Sequence, residues 1–189
     1  MPTTIHLVGI SGSLRKDSFN TKLLKSVLEL LPENVTMEVA SISEIPLYNG
    51  DLDPPIAPGR PQSVTVLRDI LARAQGLVLV SPEYNYSIPG PLKNAIDWAS
   101  RGTDSPLLRK PVAVMGATPG LWGTIRMQMA FQSVFTFLGM VPVQKPEILI
   151  ASAQNKFSPD GKLNDEKAKE LIREKLEALK DLIIRLEKK

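Results

Sequence analysis

Short apolar runs alternate along the chain with segments whose apolar residues recur at helical spacing. Ile5 to Ile10 reads as a strand that opens directly into a Gly/Ser loop. From Phe19 to Leu31 the residues Phe19, Leu23, Leu24, Val27, Leu30 and Leu31 share one helical face, and Pro32 ends the segment. Thr36 to Ala40 is a second, short strand. Ile45 to Pro61 holds Pro46, Pro54, Pro55, Pro58, Pro61, Gly50 and Gly59, which predicts a long irregular surface loop. Long ordered loops of compact domains are often functional or interfacial. Ser63 to Ala74 returns to helical spacing through Val64, Leu67, Ile70, Leu71 and Ala74. Leu77 to Val80 is apolar at every position, the pattern of a strand covered on both faces. Pro91 to Ser100 predicts a helix with Pro91 in its first turn. Val112 to Met115 is a fourth strand, and Thr124 to Leu138 a helix stopped by Gly139. A fifth strand lies within Lys145 to Ile150. Asn164 to Lys189 is a terminal helix with an apolar stripe at Ala168, Ile172, Leu176, Leu179, Ile183 and Leu186.

Strands alternating with helices predict an α/β fold with a parallel sheet covered by helices on both faces. Right-handed crossovers make that sheet doubly wound. Five strands fit the flavodoxin-like order 2-1-3-4-5 better than the six-strand dinucleotide fold. No repeat or linker divides the chain, so residues 1–189 are expected to form a single domain. In such sheets ligands bind at the carboxyl ends of the strands where the order reverses, here between the first and third. The walls would be Gly9–Ser18, Ser81–Gly90 and Gly116–Gly123.

Composition narrows the chemistry. The chain has 189 residues, 43% of them hydrophobic, enough for one sizeable core. It has no cysteine, which excludes disulfides, thiolate nucleophiles, Cys-based zinc sites and thiolate-held iron–sulfur clusters. The single histidine, His6, excludes a multi-His metal site; it lies in a strand expected to be buried, with a structural role. The net charge of +3, from 23 basic and 20 acidic residues, is mixed along the chain and does not argue for nucleic acid. From Lys156 onward the charged residues alternate in sign and are expected on one helix face. The N-terminus, from Met1 to Gly9, has no charged region followed by an apolar one, so no signal peptide is expected. No apolar run approaches the roughly 20 residues needed to span a bilayer. The expectation is a soluble, cytoplasmic protein.

The first loop runs Gly9-Ile10-Ser11-Gly12-Ser13-Leu14-Arg15-Lys16-Asp17-Ser18-Phe19-Asn20. Ser11, Ser13, Ser18 and Asn20 are small polar donors, Gly12 allows close backbone approach, and Arg15 adds a permanent forked charge. The helix that follows points its free N–H groups at this loop, which makes an anion site. The helix dipole contributes about 0.3–1 kcal/mol. Each hydrogen bond to a charged group gives about 1.5–3 kcal/mol, so the donor set decides affinity. Neither Gly-x-x-x-x-Gly-Lys-Ser/Thr nor Gly-x-Gly-x-x-Gly is present, and a single phosphate monoester fits better than a pyrophosphate. The bland alternative is a tight turn with Ser18 as a helix cap.

The third strand leads into Ser81-Pro82-Glu83-Tyr84-Asn85-Tyr86-Ser87-Ile88-Pro89-Gly90-Pro91. Such a stiff loop with aromatic faces and backbone amides suits a flat heterocycle. The alternative is a proline-stiffened connection whose tyrosines pack on the helix. Both loops fall on one predicted crevice, which favours the functional reading. In the next helix Asp97 and Arg101, four residues apart, are placed for an ion pair, and Trp98 is expected in the core. Gly116-Ala117-Thr118-Pro119-Gly120-Leu121-Trp122-Gly123 is glycine-rich and placed to pass beside a ring. Met127, Met129, Phe131, Phe135 and Phe137 read as core or subunit contact.

At three stretches the sequence resembles the NADPH-dependent FMN reductase family, in its bacterial quinone and chromate reductase branch. They are Gly12-Ser13-Leu14-Arg15-Lys16-Asp17-Ser18-Phe19-Asn20, Pro82-Glu83-Tyr84-Asn85-Tyr86-Ser87 and Leu92-Lys93-Asn94-Ala95-Ile96-Asp97-Trp98, with weaker support from Lys145-Pro146-Glu147 and Gln154-Asn155-Lys156. The resemblance implies a flavodoxin-like fold holding non-covalent FMN. It places Ser13, Arg15, Ser18 and Asn20 at phosphate-binding positions and Pro82, Glu83, Tyr84 and Asn85 at flavin-ring positions, largely through backbone. Ala117 and Thr118 stand where the family often has a serine. The candidate cofactor-binding set is therefore Ser11, Ser13, Arg15, Ser18, Phe19, Asn20, Pro82, Glu83, Tyr84, Asn85, Tyr86, Ala117 and Thr118. Relatives of this kind are dimers or tetramers; Arg126 and Glu147 match positions of subunit contact, and the Tyr48 loop borders a neighbouring site.

The expected activity is hydride transfer from NAD(P)H to flavin N5, followed by electron transfer to quinones, flavins, azo compounds or chromate. The cofactor carries the chemistry, so no catalytic side-chain acid or base is required. The rival is an FMN electron carrier without its own NAD(P)H activity, whose phosphate loop is Thr-rich and whose charge is usually acidic. A receiver-like signalling domain would need clustered acids after the first strand, where only Asp17 stands.

Overall fold

Leu77-Val78-Leu79-Val80 occupies the middle of a parallel sheet, buried at every residue as an all-apolar run requires. The computed structural model describes residues 4–188; Met1, Pro2 and Thr3, where the signal-peptide reading starts, and Lys189, at the end of the terminal helix, lie outside the described residues. The strands are β1 (Ile5–Ser11), β2 (Val35–Ala40), β3 (Gly76–Val80), β4 (Pro111–Ala117), β5 (Val141–Pro142) and β6 (Ile148–Ile150). Their order is β2-β1-β3-β4-β5, with β6 also on β4, and every pairing is parallel. This is the predicted 2-1-3-4-5 arrangement.

The helices are α1 (Phe19–Glu29), α2 (Gln62–Arg73), α3 (Gly90–Ala99), α4 (Ile125–Leu138) and α5 (Glu166–Glu187). On one face Leu23, Leu24 and Val27 of α1 and Ile172, Leu176 and Leu179 of α5 pack on Val78, Val80 and Met115. On the other, Leu67 and Leu71 of α2, Leu92 and Ile96 of α3, and Phe131 and Phe135 of α4 pack on Val8, Ile10, Leu77 and Leu79. Gly139, at φ 61°, ends α4 in the left-handed conformation that glycine adopts without penalty. In α4 the residues Met127, Phe131 and Phe135 are core, whereas Met129 and Phe137 stand exposed.

The fifth position of the sheet departs from expectation. The sequence pattern predicts one strand within Lys145–Ile150; the structure divides that position in two. Val141 and Pro142 pair with Pro111 and Val112, and Ile148–Ile150 with Met115–Ala117. Val143 N–H still reaches Val112 O (2.9 Å), but Pro146 has no N–H to continue a ladder. The carbonyls of Val143 and Pro146 are taken instead by Lys175 Nζ, each at 2.9 Å. Lys175 therefore corrects the charge reading of α5: it sits inside the apolar stripe, 2% exposed, and not on the charged face. Burial pushes its ammonium down to about 8, partly offset by the nearby Glu147 carboxylate. The stripe itself ends at Ile183, since Leu186 is exposed.

Two cations, one half-buried and one buried, also close helices. Lys110 Nζ donates to Leu71 O (2.7 Å) and Ala74 O at the end of α2. Arg68, buried, donates through Nη1 to Ala99 O (2.7 Å) at the end of α3 and to Arg101 O (3.0 Å) just beyond it. Asp97 pairs with Lys93 (2.7 Å), not with Arg101 as expected. Lys93 lies one turn earlier in the same helix. Arg101 lies past the end of α3 and donates through Nε to the Asp97 carbonyl at 2.9 Å.

Trp98 is fully buried, and its Nε1 donates to Pro46 O at 2.8 Å. Asn94 holds the same loop, accepting from Tyr48 N and donating to Pro46 O, both at 2.8 Å. The proline-rich loop is thus fixed against α3; it holds one 3-10 turn, Gly50–Leu52. His6 is half-buried rather than buried, because it faces the edge strand β2, where Nδ1 lies 3.1 Å from Thr36 Oγ1. Among the described residues no helix is long and apolar enough to cross a membrane.

Candidate functional site

The loops after β1, β3 and β4 meet at the carboxyl ends of the central strands, and two glycines make the meeting possible. Gly12 N–H donates to Val80 O at 2.9 Å. A Cβ on Gly12 would stand 2.4 Å from Ser81 Oγ. A Cβ on Gly116 would stand 2.4 Å from Ser81 O and 2.2 Å from Thr124 Oγ1. Any side chain at either position would force the loops apart.

In the first loop the hydroxyls are largely engaged. Ser18 Oγ accepts from Asn20 N (3.2 Å) and Thr21 N (3.4 Å), so Ser18 is the N-cap of α1. Ser11 Oγ lies 2.9 Å from Thr21 Oγ1 and accepts from Ser13 N at 3.3 Å. Ser13 Oγ accepts from Arg15 N at 3.3 Å. Arg15 is exposed, its guanidinium donating only to the nearby Asp17 carbonyl. Phe19 turns to Phe157, with ring centroids 5.6 Å apart, and packs half-buried against the core. Asn20 is buried and exchanges hydrogen bonds with the backbone of Ala117, which joins the first wall to the third.

The second wall is a tight turn. Tyr84 and Ser87 exchange backbone hydrogen bonds (Tyr84 N to Ser87 O 3.2 Å, Ser87 N to Tyr84 O 3.0 Å). Between them Asn85 and Tyr86 have φ of 49° and 64°, the pattern of a type I′ turn. Asn tolerates that conformation, whereas a tyrosine there is strained, and such strain collects at functional sites. Among the described residues the N–H groups of Asn85 and Tyr86 have no acceptor within the protein. Ser81 Oγ donates to Pro82 O at 3.0 Å and stiffens the entrance. Glu83 points elsewhere: its Oε2 accepts from Arg126 N (2.9 Å) and Met127 N (3.1 Å) at the start of α4. The Arg126 guanidinium lies over the rings of Tyr86 (4.0 Å) and Trp122 (5.1 Å), bridging the second and third walls.

In the third wall Thr118 N donates to Ile150 O (2.9 Å), and Thr118 Oγ1 accepts from Gly120 N (3.2 Å). The backbone of Ala117 is fully engaged by Asn20. The resemblance places Asn20 at a phosphate position and Glu83 at a ring position largely through backbone; the side chains of both also tie the walls together, a role that shows no local signal. The Tyr86–Arg126–Trp122 stack was also missed, since its members belong to three separate segments.

A separate cavity of about 360 Å³ lies between α4 and the divided edge of the sheet, lined in part by Gln128, Gln132, Gln144, Glu147 and Lys175. It shares none of the candidate cofactor-binding residues. Among the described residues no group of three His, Cys, Asp or Glu side chains is placed to hold a metal.

The donor chemistry fits FMN. An exposed arginine beside a capped helix start suits one phosphate. The unpartnered amides of the strained turn suit the polar edge of a ring. Together with strand order 2-1-3-4-5, these features define a flavodoxin-like mononucleotide-binding protein. The model of the NADPH-dependent FMN reductase family matches residues 5–155, and the chain belongs to that family. It is 45% identical over 186 residues to an NAD(P)H-dependent FMN reductase of Pseudomonas aeruginosa, covering 98% of this chain and 99% of that protein. It is 39% identical over 160 residues to a quinone reductase of Escherichia coli, covering 84% of each. Its structure resembles FerB, a flavoenzyme NAD(P)H:(acceptor) oxidoreductase from Paracoccus denitrificans, with a TM-score of 0.84, 33% identity and coverage of 96% and 98% of the two chains.

Proposed function

We propose that the protein is an FMN-dependent NAD(P)H oxidoreductase that passes electrons to small acceptors such as quinones, free flavins, azo compounds or chromate. One observation carries the reading: an anion loop and a strained, amide-presenting turn converge on a single crevice, with Asn20 bonded across to Ala117. Bound FMN would supply the two-electron chemistry, accepting hydride from NAD(P)H and releasing the electrons to the acceptor. The protein's part is to bind and orient. Arg15 and Ser13 hold the phosphate end beside the start of α1, which Ser18 caps. The turn Tyr84–Ser87 receives the ring through the Asn85 and Tyr86 amides, with Pro82 stiffening its entrance. Ala117 and Thr118 close the far side through backbone. No side chain of the crevice is required to transfer a proton.

The second copy of a homodimer or homotetramer would cover α4, where Met129 is 66% and Phe137 78% exposed. A cytoplasmic location fits a chain without cysteine.

The test is stopped-flow mixing of FMN-reconstituted protein with NADPH and with NADH, followed by addition of a quinone. Rapid bleaching of the flavin by either nucleotide, and its recovery with quinone, is the expected result. Flavin that binds but stays oxidised with both nucleotides would identify an electron carrier instead.

A further inference from the structure

Helix α4 starts without a cap of its own. Thr124, the residue before it, lies at φ 71° and makes no capping bond; its buried hydroxyl has no partner. The Ile125 N–H reaches Trp122 O at 3.2 Å, which leaves the next N–H groups of the first turn without main-chain acceptors. Glu83 supplies the acceptor from 43 residues away. Its Oε2 takes both Arg126 N and Met127 N, while Oε1 lies 3.4 Å from Arg126 Nη1. A carboxylate at this end of a helix is favoured by both the free N–H groups and the dipole. The backbone of the same residue opens the strained turn, and Arg126 reaches back to cover Tyr86 at 4.0 Å. Loop and helix are therefore clamped twice, at Glu83 and at Tyr86.

We propose that Glu83 is a positioning residue coupling the FMN seat to α4, so that cofactor binding and order at the start of α4 reinforce one another. The proposal rests on the FMN reading above. A turn with positive φ at Asn85 and Tyr86 persists only while its surroundings hold it. A ligand bound by the Asn85 and Tyr86 amides stabilises the turn, and through Glu83 the first turn of α4. By linkage the intact clamp raises affinity for the ligand by the same factor. Arg126 and Met127 should thus respond to FMN through their amides, although those amides are engaged by Glu83 rather than free to bind the ligand.

Amide hydrogen exchange at Arg126 and Met127, with and without FMN, is paired with FMN fluorescence titration for wild type, Glu83→Ala, Glu83→Asp and Glu83→Gln. Wild type should bind FMN and slow exchange at both amides about tenfold, and Glu83→Ala should weaken FMN about tenfold and abolish that slowing. Glu83→Asp keeps the charge but shortens the reach; it should behave like alanine and serves where alanine does not fold. Glu83→Gln keeps an oxygen for the two N–H groups and should stay within about threefold of wild type. Wild type that does not bind FMN overturns the flavin reading itself. Wild type that binds, with Glu83→Ala or Glu83→Asp binding equally and showing the same slowing, overturns the coupling alone. Loss in Glu83→Gln as large as in Glu83→Ala overturns the capping mechanism.

Discussion

Asn20, on the first turn of α1, and Ala117, the last residue of β4, exchange two hydrogen bonds: Nδ2 donates to Ala117 O, and Ala117 N donates to Oδ1, both at 2.9 Å. The two residues are 97 apart in sequence, and both are buried. Removing the carboxamide strands one buried donor and one buried acceptor, at about 1–3 kcal/mol each. Asn20→Ala should lower Tm by about 5–15 °C and weaken FMN binding, because two walls of the crevice lose their tie. A melting curve that overlays wild type would show that the pair contributes nothing.

Arg15 separates affinity from stability. It is exposed and contacts only the Asp17 carbonyl, so Arg15→Ala should leave the Tm of the apoprotein unchanged. The same variant should bind FMN about tenfold to a hundredfold more weakly, since a charge-assisted bond to phosphate contributes about 1.5–3 kcal/mol. Riboflavin, which has no phosphate, is the control: its affinity should be alike in the two proteins. Equal loss for both flavins would place Arg15 away from the phosphate.

Gly12→Ala tests the packing of the loops. The new Cβ would stand 2.4 Å from Ser81 Oγ and 2.8 Å from Ser81 Cβ, on a fully buried side chain with no room to retreat. The expected cost is about 1–3 kcal/mol of stability, with FMN binding lost as the first loop is pushed off β3. Urea unfolding and flavin titration read the two effects. Gly59→Ala, at a position with nothing within 4 Å of the added carbon, is the neutral comparison.

Phe137 tests assembly. It is 78% exposed on a helix whose buried neighbours Phe131 and Phe135 already fill the core. Phe137→Glu should leave the fold and Tm nearly unchanged, and should shift sedimentation toward the monomer. An unshifted profile would show that Phe137 makes no contact between copies.

Much of the architecture is legible because it is local. An all-apolar tetrapeptide at Leu77–Val80, between Gly76 and Ser81-Pro82, reads as an inner strand, Gly139 reads as the stop of α4, and a Gly/Ser loop at a strand end marks the crevice. What escapes the sequence depends on partners far along the chain. Nothing near Asn20 announces Ala117, and nothing near Glu83 announces the uncapped start of α4. The role of both side chains as struts between segments is therefore absent from the local sequence. Lys175 misleads for a related reason: in a helix rich in Lys and Glu it looks like one more solvated charge. Only the gap in the sheet edge, with two carbonyls to satisfy, draws it inward. The one local sign of that gap is Pro146, which has no N–H for a ladder.

The half-buried Lys110 and the buried Lys175 give the protein a pH signature. Burial pushes the ammonium groups of Lys110 and Lys175 down to about 8. In the unfolded chain each returns to the usual 10.5. Below about pH 8 both states hold these protons, and the lysines add no pH dependence to stability. Between about 8 and 10.5 the folded chain has released protons that the unfolded chain still binds, so stability should rise with pH across that window. Lys175→Met removes one source of the rise, and Lys110→Met/Lys175→Met removes both, whatever either does to absolute stability. Urea midpoints taken across the window should therefore climb most steeply in wild type relative to the double variant, with the single variant between them. Parallel profiles for all three proteins would mean that neither ammonium is held out of water as the structure places it.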